Sequence, residues 1–136
     1  MTGLIEQITE IDKALDEAVA LLRRFDSYNE KEAADAEAHA AVREMLGISR
    51  SAVERIHAAQ EVLAGMRDPI IEVDETLNEV LEADLGLFDS YDESEATATY
   101  ARSAMREMPR IARIAIEMIL GAQHVLAMIR DKASRG

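Results

Sequence analysis

The chain has 136 residues, 49% of them hydrophobic, which suits a single domain (1–136) with a buried core. It contains no cysteine, which excludes a disulfide framework and thiolate chemistry. Its net charge of −12 weighs against nucleic-acid phosphates and anionic membrane surfaces as partners.

Aromatic residues make up 4% of the chain and proline occurs twice, while Ala, Glu, Leu, Met and Arg are abundant. That balance favours helices, so the expected class is all-α. The start, MTGLIEQITE, lacks a basic segment followed by an apolar run and does not read as a secretory leader. The most apolar stretch, 111–129, contains Arg113, Glu117 and His124, so no membrane span is expected and the expected location is the cytoplasm.

In the first element, Leu4, Ile8, Ile11, Leu15, Ala18, Leu22 and Phe25 follow alternating steps of four and three, one apolar seam of a helix. A turn follows, where Asn29 is a good N-cap and Glu32 completes a capping box, with Tyr28 placed as a hydrophobic staple against Ala33. The second element carries the seam Ala38, Ala41, Met45, Ile48, Ala52, Ile56, Ala59, Leu63 and Met66.

The rest of the chain repeats this pattern. Residues 25–68 align with 88–131 at a constant offset of 63, with 24 of 44 positions identical: FDSYNE returns as FDSYDE, and AQEVLAGMRD as AQHVLAMIRD. Upstream, ITEIDKALDE (8–17) aligns with IIEVDETLNE (70–79) once one residue is inserted. The internal repeats are therefore 8–68 and 70–131, each a shorter helix, a turn and a long helix. The second turn offers Asp92 as N-cap, Glu95 as its box partner, and Tyr91 against Ala96.

The last element carries Ala101, Ala104, Met108, Ile111, Ala115, Ile119, Ala122, Leu126 and Ile129 in unbroken phase. Gly47 and Pro109 fall at almost the same repeat position, so a kink or break is expected there in each long helix. An unbroken helix of that length would span about 57 Å against about 30 Å for the first helix. The excess should fold back at the kink or be covered by another chain. The expected architecture is a four-helix bundle of two helix–turn–helix repeats.

Chemistry-bearing patterns are few. Glu54 and His57 form Glu-x-x-His, the spacing of di-iron carboxylate bundles, but both lie off the seam and Leu120 replaces the His in the second repeat. Arg50 and His57 share one helix face two turns apart. Their spacing resembles the Arg-x4-6-His ribonuclease motif of HEPN domains, which implies a small all-α RNase or regulator as an alternative function. Arg113 and Leu120 stand at the matching positions. His39 with Arg43 lacks the residues a phosphotransfer histidine would want after it. No catalytic, cofactor or metal residues are assigned.

Arg102, Arg106, Arg110 and Arg113 form one stripe that could cradle an anion. No Lys or Arg lies between Asp68 and Ala101, so the acidic third helix is the expected neighbour of that stripe. Phe25, Tyr28, Phe88 and Tyr91 gather at the two turns, where they could receive an apolar ligand or a partner helix, or simply close the seams.

The repeats differ most along one stripe: Ser51, Arg55, Ala58, Val62 and Gly65 become Ile114, Met118, Gly121, Val125 and Met128. This widens the apolar arc of the last helix beyond one seam. The leading expectation is a non-enzymatic interaction or assembly protein, a homodimer through the last helix. The remaining alternative is a bundle that binds an apolar ligand or metal.

Overall fold

The computed structural model describes residues 3–27, 35–67, 70–90 and 98–135, and among them it shows an all-α helical bundle. Four helices follow in order: α1 (Leu4–Arg23), α2 (Asp35–Ala64), α3 (Ile71–Glu79) and α4 (Ala98–Arg135). A 3-10 turn, Arg24–Ser27, closes α1. A π-helical turn, Val80–Asp84, and a 3-10 turn, Leu85–Ser90, prolong α3. The capping residues Asn29, Glu32, Asp92 and Glu95 and the stapling Tyr28, Ala33, Tyr91 and Ala96 lie outside the described residues.

The seams read from the sequence form the core. Ile8, Ile11, Leu15, Ala18, Leu22 and Phe25 are buried, while Leu4 at the tip of α1 is exposed. All nine residues of the second seam, Ala38 to Met66, are buried, and in α4 only Ile111 and Ile129 are half-buried rather than buried. Burial is wider than one seam in the N-terminal halves of the long helices, where Val42, Leu46 and Ser49 join α2 and Met105 and Ala112 join α4.

Both long helices are continuous. α2 runs unbroken through Gly47, and α4 carries Pro109 inside its 38 residues. Of the kink or break expected at these positions, the break does not occur. Proline costs a helix one N–H bond and some steric strain, but Pro109 is itself buried between Met108 and the buried seam that follows, so packing on this face offsets that cost. The excess length also needs neither a fold-back nor another chain. The N-terminal halves of α2 and α4 are buried within this chain through Ala38, Ala41, Val42, Met45, Ala101, Ala104, Met105 and Met108.

Three contacts fix how the helices lie. Arg113 of α4 donates to Asp26 at 3.2 Å, and ten residues later Gln123 donates to the Asp12 carbonyl at 3.3 Å and to Asp16 Oδ1 at 2.8 Å. The partners move backwards, from the turn after α1 into α1 itself, as α4 advances, so the two helices are antiparallel. Gln60 of α2 makes the matching contact with α3, donating to Asp74 Oδ1 at 3.3 Å and Asn78 Oδ1 at 2.8 Å. Gln60 aligns with Gln123, Asp74 with Asp12, and Asn78 with Asp16. The long helix of each hairpin therefore reaches across to the short helix of the other.

The one-residue insertion also has a physical form. Seven residues separate Glu17 from Phe25 and eight separate Glu79 from Phe88. The extra residue is taken up by the π-helical turn, where the Leu85 N–H reaches back five residues to the Val80 carbonyl. Gly86 follows because a Cβ there would stand 2.8 Å from the Leu81 carbonyl oxygen.

Candidate functional site

The apolar stripe of α4 divides in two. Met118 and Val125 are half-buried and pack against the core. Ile114 is 47% exposed, Met128 is 59% exposed, and above Gly121 a Cβ would meet nothing within 4 Å. The three outward positions are spaced by seven residues, so they form a straight ridge along the solvent side of the helix. Met128 also borders an open cavity of about 590 Å³ whose other walls include Ile5, Ala127, Arg130 and Ser134. An 18-residue stretch of α4 has a mean hydropathy of 1.4 with 28% of it buried, which is long and apolar enough to cross a membrane by composition alone.

Two of the four aromatic candidates are spent on the fold. Phe25 and Phe88 are buried and stack on each other at 5.6 Å between ring centroids and 13° between planes. Neither ring is open to a partner helix. Tyr28 and Tyr91, the other two members of that candidate set, lie outside the described residues.

The arginine stripe is partly engaged. Arg113 pairs with Asp26, which belongs to the turn after α1 and not to the acidic third helix expected beside it. Arg102 and Arg106 also interact with neighbouring groups, and Arg110 is exposed. An exposed pair such as Arg113–Asp26 contributes at most about 1 kcal/mol, so its role is to set register rather than to hold the fold.

Glu54 and His57 are both exposed on α2. Among the described residues no three His, Asp or Glu side chains converge closely enough to hold a metal ion. His39 is half-buried and Arg43 exposed.

Arg50 and His57 do come together, at one cavity of about 280 Å³. It lies between the middle of α2, which supplies Ser49, Arg50, Val53 and His57, and the turns after α3, which supply Leu81, Leu85 and Gly86. Ser49 was not singled out in the sequence, although it is the buried polar residue of the described chain, at 3% exposure. The available signal was its position: it precedes Arg50 and lies on a helix face with Val53 and His57, at steps of four.

No known protein family matches the chain, and neither a curated protein nor a solved structure does. The functional reading therefore rests on the geometry.

Proposed function

We propose that this chain is a non-enzymatic α-helical assembly protein of the cytoplasm, built from a duplicated hairpin and paired with a second copy of itself through the solvent face of α4. The observation that carries this reading is the ridge Ile114, Gly121, Met128. Gly121 stands midway between two exposed apolar residues, each seven positions away. Two such helices crossing antiparallel at Gly121 would bring Ile114 of each copy against Met128 of the other. That is the self-complementary arrangement a two-fold dimer requires. The absent side chain at Gly121 lets the backbones approach closely at the crossing, and methionine adapts to an imperfect fit.

An aqueous partner is supported over a bilayer by the polar ties of the same helix. Arg113 and Gln123, ten residues apart, are bonded to the turn after α1 and to α1 itself. Withdrawing the helix into lipid would break both, and each buried polar group left unpaired there costs several kcal/mol, on the order of 2–7.

Light scattering after size exclusion tests the proposal. At micromolar concentration the expected mass is twice 15.0 kDa. Gly121→Glu should halve that mass while leaving the helical fold intact, because a Cβ there meets nothing within 4 Å of its own chain. Met118 is a poorer test position, since it packs against the core. A wild-type monomer, or a monomer that sediments with lipid vesicles, would overturn the reading.

A further inference from the structure

We infer that the cavity between the middle of α2 and the π-helical turn Val80–Asp84 binds a small phosphate ester. This site is on a different face from the proposed α4 ridge and stands or falls independently of it.

Three donors line the α2 wall of the cavity, and none is bonded within the fold among the described residues. Ser49 is 3% exposed, yet its hydroxyl has no hydrogen-bond partner among the described residues. A mid-helix serine usually bonds to solvent or to a carbonyl one turn back, and Thr9 and Thr76 in this chain do bond back in that way. Arg50 has no ion pair among the described residues, whereas Arg113, its counterpart in the other repeat, is held by Asp26 at 3.2 Å. His57 likewise has no partner among the described residues.

The lining is electrostatically exceptional. The chain has 27 acidic residues against 15 basic ones, but among the described residues that line this cavity there is no Asp or Glu. An arginine fork, an imidazole and a hydroxyl along the α2 wall offer more donors than the two acceptor oxygens of a planar carboxylate can use, and suit a tetrahedral oxyanion better. Val53, Leu81 and Leu85 supply apolar walls beside the donors, so the oxyanion should carry a short apolar stem. The volume of about 280 Å³ favours a small ester over a longer polymer.

The cavity also coincides with the places where the repeats part. Ser49 and His57 have Ala112 and Leu120 as counterparts. The opposite wall is the segment that carries the extra residue, and its π-helical turn brings Leu81 and Leu85 to the cavity beside Gly86. A π-helical turn inside an α-helix is frequent at functional sites. Here it arrives together with two polar replacements on the facing helix, Ser49 and His57, neither of which has a partner among the described residues.

Calorimetric titration with phenyl phosphate and with inorganic phosphate, at fixed ionic strength, tests the site. Phenyl phosphate should bind saturably at one site per chain and about tenfold more tightly than inorganic phosphate, from burial of its ring against the apolar wall. Arg50→Ala should abolish binding. Ser49→Ala, which installs the residue found in the other repeat, should keep the fold and weaken binding at least about fivefold through loss of one buried donor. The His57 imidazole resonances should shift on saturation in the wild type. Absence of saturable binding at millimolar ligand, or equal affinity in wild type and Arg50→Ala, would overturn the inference. Binding confined to an RNA oligonucleotide would overturn it as well.

Discussion

Phe25 and Phe88 occupy the same position of the two repeats, and they stack on one another at 5.6 Å. Residues that align with each other in the sequence thus meet in the core. Gln60 and Gln123 align as well, and each bonds to the short helix of the opposite hairpin. The aromatic pair therefore sits where the two hairpins meet.

The first prediction concerns that pair. Either Phe25→Ala or Phe88→Ala should cost about 3–5 kcal/mol in urea unfolding followed by circular dichroism. The double variant should cost less than the sum by about 0.5–1.5 kcal/mol, since each substitution removes the same ring contact. Strict additivity would contradict a direct coupling between the hairpins at this point.

A second prediction concerns pH. Burial, and then the neighbouring Asp16 carboxylate, raise the pKa of Asp12 above its ordinary 3.8, while the Gln123 amide and Arg130 pull it the other way. The folded chain then holds this proton more tightly than the unfolded chain does. Between the two pKa values the unfolded state binds fewer protons, so stability falls as pH rises through that window, and the loss persists at neutral pH. Asp12→Asn should raise the melting temperature at neutral pH, with an advantage that fades as the pH drops to 3.8 and below. Melting curves across pH will show whether it does.

Glycine substitutions should have opposite signs at different places. Gly47→Ala and, measured on the separated monomer, Gly121→Ala add a methyl group where nothing in the chain stands within 4 Å, so each should stabilise its helix by about 0.5–1 kcal/mol. Gly86→Ala forces a Cβ to 2.8 Å from the Leu81 carbonyl oxygen and should destabilise by about 1–3 kcal/mol. Thermal melts of the three variants will separate these cases.

Removing the inserted residue is a stronger test of why Gly86 is needed. Ala83 is exposed within the π-helical turn, and its deletion restores the seven-residue spacing of the first repeat. The turn should revert to α-helix, and Gly86→Ala should then be tolerated in the deletion background. Comparing that double variant with Gly86→Ala alone, by thermal melting, checks the relief. An unchanged penalty would mean that the extra residue is not what crowds Gly86.

Much of the fold was legible because helix periodicity is local. The seams from Ile8 to Phe25 and from Ala38 to Met66 needed only the spacing of apolar residues. Other features depend on what packs opposite. Val42 and Leu46 are buried although they lie beside the seam, because the N-terminal halves of the long helices bury a wider arc. Pro109 reads locally as a breaker, and only the packing around it explains why α4 continues. The Gln60 and Gln123 bonds join residues distant in sequence, which no periodicity reveals. For the cavity, Arg50 and His57 were visible as a pair on one helix face. Ser49 was hidden because a mid-helix serine looks unremarkable until its burial is seen. The insertion could be counted in the sequence, but its expression as a π-helical turn facing those residues could not.

The reciprocal reach of the two long helices has a consequence for the integrity of the chain. Each hairpin completes its polar contacts on the other, so neither is a finished object by itself. A backbone nick between Arg67 and Ile70 would spare every helix and every one of those cross-contacts. The two fragments should remain together as a noncovalent pair, and either one alone should lose its shape. The covalent link between the halves acts chiefly as a tether that keeps their local concentration high, while the specificity of their pairing is written in the interlocked side chains.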